Sequence, residues 1–144
     1  LDGEDVTAAI RTPAVDAAVS AVSAHPGVRA ELVARQRAWA AAHGGGVVEG
    51  RDIGSVVFPD ADLKVYLTAD PGERARRRVD QRGAVPTGLE VAEAPAEALA
   101  ALAARDAYDS GRPTSPLTVP DGAIVVDSTH LSVDAVVEEV LRHL

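Results

Sequence analysis

Of the 14 basic residues in this 144-residue chain, only Lys64 is a lysine; the rest are arginines. The arginines that stand close to acidic residues gather at three places: Arg51, the run Arg74, Arg76, Arg77 and Arg78, and the pair Arg105 and Arg112. A planar guanidinium fork grips phosphate oxygens two at a time and keeps its charge, while a neighbouring carboxylate can orient it or accept hydrogen bonds from sugar hydroxyls and base amines. The chemistry on offer is recognition of a small phosphorylated ligand. The same inventory also fits a solvated helix face or arginine-biased codon usage, and residue types alone leave both open.

The segment Glu49-Gly50-Arg51-Asp52-Ile53-Gly54 follows a short apolar run, and its two glycines flank a charged pair. In open α/β sheets ligands bind beyond the carboxyl ends of strands, where this segment is expected to lie. If it is extended, Arg51 and Asp52 point to opposite sides and can contact different parts of one ligand. A turn closed by a surface ion pair is the competing reading.

Some chemistries are excluded. A phosphate loop of the form GxxxxGK[ST] occurs nowhere in the 144 residues, and Gly44-Gly45-Gly46 reads as a helix stop rather than a substitute. Zero Cys rules out disulfides and thiolate metal sites, and His25, His43, His130 and His143 lack the close pair spacing of zinc ligands. A net charge of −8 and 3% aromatic residues argue against nucleic acid as a partner despite the RARRR run. No stretch approaches the roughly 20 apolar residues of a membrane span, and no signal peptide opens the chain. A first residue that is Leu1 rather than Met suggests a start inside a larger protein.

The elements that must position these residues follow from local signals. Residues 1–12 read as extended or turn. Thr12-Pro13 predicts a helix start, with Val15, Val19 and Val22 at helical spacing and an end near His25. Pro26 restarts a helix in which Val28, Leu32, Gln36 and Trp39 share a face, up to Gly44. Val47-Val48-Glu49 and Leu63–Leu67 are strand-like. Asp70-Pro71-Gly72-Glu73 has the pattern of a capping box and puts the arginine run on a helix reaching Gly83. Residues 84–95 read as a loop before a helix with Leu99, Leu102 and Tyr108. Ala123–Val126 resembles a strand buried on both faces. Ser132 caps a last helix, with Leu131 and Val136 as a staple and an apolar stripe through Val133, Val137, Val140 and Leu141. Strands alternating with helices, and 47% hydrophobic residues with no Met, predict one α/β domain with a Val, Leu, Ile and Ala core.

On these residues the chain resembles a family. EGRDIGSVVFPDADLKVYLTADPGERARRR, residues 49–78, is similar to the central signature of bacterial cytidylate kinases. LDGEDVTAAIRTPAV, VSAHPGVRAELVARQR and RDAYDSGRPTSPL with AIVVDSTHLSVDAVVEEVL resemble the same family in the same order, and only residues 83–98 are undistinctive. The resemblance implies a nucleoside monophosphate kinase fold, a parallel sheet with flanking helices. It implies transfer of the ATP γ-phosphoryl group to CMP or dCMP, with Mg2+ accompanying ATP and no metal held by the protein itself. A cytoplasmic enzyme, monomeric at full length, is implied as well.

Carried over by position, Ser20, Arg29, Asp52 and Arg112 are expected to read cytosine and Arg51 to hold the CMP phosphate. Asp109 is expected to bind the sugar hydroxyls, with Arg105 at the sugar-phosphate end. Arg74, Arg77 and Arg78 are the implied catalytic arginines of a short lid over residues 74–83. Residues 1–45 correspond to a CMP-binding subdomain and 46–144 to the remaining core. Family members begin with a strand, a glycine-rich phosphate loop and a helix, which do not occur in this sequence, so the chain by itself is expected to be inactive. A non-catalytic module descended from the fold, and a kinase for another monophosphate, are the alternatives.

Overall fold

Proline and glycine punctuate the first two helices. In the computed structural model, which describes residues 2–81 and 96–144, α1 runs Pro13–Ala24 and α2 runs Pro26–His43. Each opens on proline, whose missing N–H and preset φ suit the first helical position. Gly44, at φ 70°, stops α2 in the left-handed conformation that a side chain disfavours. Thr12 precedes α1, but its hydroxyl donates to Ala9 O at 3.2 Å instead of capping the helix. That bond joins α1 to a 3-10 turn, Ala9–Arg11, in the segment expected to be extended or turn.

The rotation of α2 differs from the apolar stripe predicted for it. Of the predicted face Val28 and Gln36 are half-buried, together with Arg29, Val33 and Ala40, whereas Leu32 and Trp39 are exposed. Polar anchors set this rotation. Arg29 pairs with Asp52, and Arg37 donates to the carbonyls of Val57 and Val56 at 2.8 and 2.9 Å. Trp39 instead stacks on His43, with ring centroids 4.6 Å apart, and covers Gly46, where an added Cβ would lie 3.1 Å from the indole.

Two strands pair in parallel: β1 (Val65–Thr68) and β2 (Ile124–Asp127), with Val65 opposite Ile124 and Thr68 opposite Asp127. Between them the chain forms α3 (Pro71–Gln81) and α4 (Ala96–Ser110), which pack on each other, and α5 (Val133–Leu141) follows β2. A parallel pair joined through helices is the α/β arrangement expected. Ser132 caps α5 as predicted, its Oγ accepting from Ala135 N at 3.2 Å. The loop expected over 84–95 lies outside the described residues.

Two strand expectations are corrected. Val47-Val48-Glu49 is not a strand: no described segment hydrogen-bonds to it as a ladder, and Val47 is fully exposed. Likewise β2 is not buried on both faces, since Val126 is 5% exposed but Val125 is 60% exposed. An apolar run specifies strand tendency, not which of its faces finds a neighbour.

Among the described residues the buried hydrophobic side chains are Val57, Ala69, Ala75 and Val126, whereas Asp52, Asp109, Arg112, Ser115 and Ser128 are buried as well. The best-covered part of the chain is therefore polar. In such surroundings a satisfied ion pair is strengthened and an unsatisfied one is costly.

Candidate functional site

The segment after Glu49 is neither extended nor closed by an Arg51–Asp52 pair. Residues Ile53–Val57 form one turn of π-helix, with Val57 N donating to Asp52 O at 3.2 Å and Phe58 N to Ile53 O at 2.7 Å. Both flanking glycines lie where another side chain approaches closely. A Cβ on Gly50 would sit 2.9 Å from Ile53 Cγ1, and one on Gly54 would sit 3.0 Å from Pro120 Cγ. Arg37 holds the far end of the turn through two carbonyls. The outcome resembles what extension would have produced, because Arg51 and Asp52 still diverge to different partners.

Asp52, buried, pairs with Arg29 of α2, and Arg29 Nε donates to Ser115 Oγ at 3.3 Å. Ser115 itself is held at φ 54°. For a residue with a Cβ the left-handed region costs about 1–2 kcal/mol, a strain that the loop after α4 tolerates while delivering the hydroxyl to Arg29.

Arg51 turns towards α4. Its Nη1 donates to Asp106 Oδ1 at 2.7 Å and its Nη2 lies 3.0 Å from Asp109 Oδ2. One helical turn separates these carboxylates, so both face the same side. Asp109, its side chain 4% exposed, also faces Arg112 Nη2 at 3.5 Å and Arg105 Nε at 3.8 Å. Arg112 further donates to Ser23 Oγ of α1 at 3.3 Å. The buried Nε of Arg105 has no hydrogen-bond partner, so one donor in the cluster is left over.

The arginines of α3 radiate to three elements. Asp70 Oδ1 accepts from Gly72 N and Glu73 N at 2.7 and 3.3 Å, which starts the helix. Only half of the predicted capping box forms: Asp70 N donates to Thr129 Oγ1 at 2.8 Å, and the Glu73 carboxylate serves Arg76 and Arg77. Arg74 reaches Asp106 at 2.5 Å, joining the Arg51 cluster. Arg77 spends its three nitrogens on Glu73 at 2.7 Å and on Ser128 Oγ and O at 3.0 and 2.7 Å, beyond the carboxyl ends of both strands. Arg78 approaches Asp16 of α1 at 3.3 Å.

Glu73 has its pKa lowered from 4.5 to about 2, first by hydrogen bonds from Arg76 and then by those from Arg77, which outweigh burial. A depressed folded-state pKa contributes stability that is complete above the ordinary value and disappears as pH falls through the folded one. Thermal unfolding temperature should therefore fall between pH about 4.5 and about 2. Asp106 and Asp127 are lowered too, so Glu73→Gln should flatten that fall in part. An identical acid slope in the variant would contradict the assignment.

Of the residues singled out from sequence, the fold brings Arg51, Arg74, Arg105, Asp109 and Arg112 into one cluster, with the Arg29–Asp52 pair beside it. Arg77 and Arg78 are directed elsewhere. Ser20 is half-buried on α1, and the hydroxyl that meets Arg112 belongs to Ser23, which itself donates to Ser20 O at 3.1 Å. Asp106, Ser23 and Ser115 were not predicted. The spacing Asp106-x-x-Asp109 was a readable signal for the first, since residues three apart share a helix face; nothing local marked the two serines. Among the described residues no group of three or more acidic or histidine side chains could hold a metal ion. The site's carboxylates are committed to arginines, so they do not fit a cation. No helix among the described residues is long and apolar enough to cross a membrane.

Parallel strands joined through helices, with the arginine-bearing α3 starting at the end of β1, form an α/β arrangement consistent with the nucleoside monophosphate kinase fold. The profile of the cytidylate kinase family matches residues 1–144, and the chain belongs to that family. It is 51% identical over 143 residues to a cytidylate kinase of Symbiobacterium thermophilum, a match covering 99% of this chain and 61% of that protein. It is 49% identical over 143 residues to a cytidylate kinase of Pseudomonas aeruginosa (strain LESB58), covering 99% and 60%. A bifunctional pantoate ligase/cytidylate kinase of Synechococcus sp. (strain JA-3-3Ab) is 50% identical over 141 residues, covering 98% of this chain and 25% of that protein. The chain thus spans about 60% of the length of the first two relatives.

Proposed function

We propose that this chain carries the CMP-binding part of a nucleoside monophosphate kinase that phosphorylates CMP or dCMP with ATP. The observation that carries the reading is the convergence of Arg51, Arg105 and Arg112 on the buried Asp109, with an Arg105 Nε that makes no hydrogen bond and the Arg29–Asp52 pair alongside. Arg51 and Arg105 supply the phosphate end. Asp109 takes the sugar hydroxyls. Asp52, held by Arg29, accepts from the cytosine amine, a donor that uracil lacks at that position, and Arg112 and Ser20 are assigned to the same base. Residues 1–45 form the nucleobase side and 46–144 the remaining core.

Arg74 and Arg78 are assigned to the transferring phosphoryl group, and Arg77 would have to leave Ser128 to join them. Phosphoryl transfer depends on alignment and charge stabilisation, which arginines supply. Magnesium belongs to the ATP co-substrate in this reading. ATP itself needs the backbone cradle of a phosphate loop, which these 144 residues do not contain, so the chain alone is expected to bind CMP without turning it over.

Calorimetry with CMP, UMP and AMP tests the pocket: CMP should bind tightest, and equal heats for all three would remove the cytosine assignment. Phosphorylation of CMP by the chain alone, compared with the chain fused behind the phosphate-loop segment of a curated relative, tests the division of labour. Turnover by the short chain would overturn it.

A further inference from the structure

Asp106 has no part in the reading above, yet it is the carboxylate that ties two of its arginines together. Oδ1 accepts from Arg51 Nη1 at 2.7 Å and Oδ2 from Arg74 Nη2 at 2.5 Å. The partners come from segments 55 and 32 residues away, so tertiary packing alone brings them to one small anion. Two guanidiniums that close repel each other unless an anion lies between them. A carboxylate held by one arginine on each oxygen offers what a phosphoryl group would offer with two of its oxygens.

The two carboxylates of α4 differ in how readily they could be exchanged. The Asp109 side chain is 4% exposed and faces three arginines; that of Asp106 is 23% exposed and has two. Burial opposes ionisation of Asp106, but the hydrogen bonds from Arg51 and Arg74 outweigh it and hold its pKa below the usual carboxylate value. It is therefore an anion at neutral pH, at the more accessible end of the cluster. Its partners join the segment at 51 to the arginine helix α3.

We infer that Asp106 is an internal stand-in for phosphate: in the ligand-free chain it holds Arg51 and Arg74 together, and it yields them to a phosphoryl group by exchange. Asp106 is thus a positioning residue, acting through the two arginines. The identity of the incoming ligand as a nucleotide rests on the proposed function; the exchange itself does not.

Inorganic phosphate is the probe, compared with chloride at matched ionic strength. Asp106→Asn should lower the unfolding temperature in chloride by roughly 3 °C or more, and phosphate should restore it, raising the variant by more than it raises the unsubstituted chain, where Asp106 competes for the arginines. Adding Arg51→Met should abolish the restoration. Equal unfolding temperatures for Asp106→Asn in the two salts, or restoration that survives loss of Arg51, would overturn the inference. Should the variant not fold, the unsubstituted chain with carboxylate-labelled aspartate gives the same answer by NMR: phosphate should move the Asp106 titration to higher pH, and an unmoved titration would overturn it. Phosphate restoration in a chain that binds CMP no better than AMP would keep the exchange and remove only the cytosine reading.

Discussion

Replacing Asp109 with alanine should destabilise the chain by about 3 kcal/mol or more, read as a lower urea midpoint with an unchanged slope. Asp109 is the anion shared by Arg51 at 3.0 Å, Arg112 at 3.5 Å and Arg105 at 3.8 Å. Arg112, its side chain 7% exposed, cannot recover the lost partner from water, so its desolvation cost goes uncompensated. Arg105 is 40% exposed and should contribute little, because solvent screens it. The backbone adds to the argument without adding to the loss: Leu117 N donates to Asp109 O at 2.9 Å and Arg112 Nε to the same carbonyl at 3.3 Å, and both survive the substitution. Asp109→Asn keeps the shape and one acceptor, so it should fall between the two. A midpoint in Asp109→Ala indistinguishable from the parent would mean that the arginines are solvated rather than gathered on a buried charge.

On the proposed reading, in which Asp52 accepts from the cytosine amine, the second large effect is expected at Asp52, and it concerns selectivity. The carboxylate is 5% exposed and can only accept hydrogen bonds, which suits the cytosine amine and opposes the uracil carbonyl. Asparagine at this position both donates and accepts. Asp52→Asn should therefore reduce the preference for CMP over UMP by about a hundredfold, the scale on which a mispaired buried polar group is rejected. Calorimetry of both nucleotides with both proteins measures it. Ribose 5-phosphate is the control that separates reading from folding: its binding should be nearly unaffected, and a loss of CMP affinity matched by an equal loss for ribose 5-phosphate would reduce Asp52 to a structural partner of Arg29. The substitution also weakens the charge pairing of Arg29, whose other hydrogen bond is to Ser115 at 3.3 Å, so unfolding should be followed in parallel.

How far these sites could be read beforehand depended on the range of the interaction. Pro13, Pro26, Gly44, Asp70 and Ser132 announce helix ends because each acts on backbone groups within four residues. The placement of Arg74 to Arg78 on a helix followed from the Asp70 signal. The side of α2 that turns inward followed only in part from its predicted face: Val28 and Gln36 are half-buried but Leu32 and Trp39 are exposed, and the Arg29–Asp52 pair and the Arg37 carbonyl contacts decided the difference. Likewise Val47-Val48 has strand-forming residues but no described neighbour to pair with, and a strand is a property of the pair.

The sequence by itself determined the supply of groups, thirteen arginines with carboxylates placed among them, together with helix-end signals and a family resemblance that nominated candidate site residues. Only the tertiary structure decided who meets whom: that Arg51 joins Asp106 and Asp109 rather than its neighbour Asp52, that Asp52 goes to Arg29, and that Arg77 is spent on Ser128. Charge attraction favours any opposite partner within reach, so it selects none in an unfolded chain. The packing of α3 on α4 and the π turn at Ile53–Val57 choose the pairs, because they bring together residues at least 23 positions apart and shut water away from some of them.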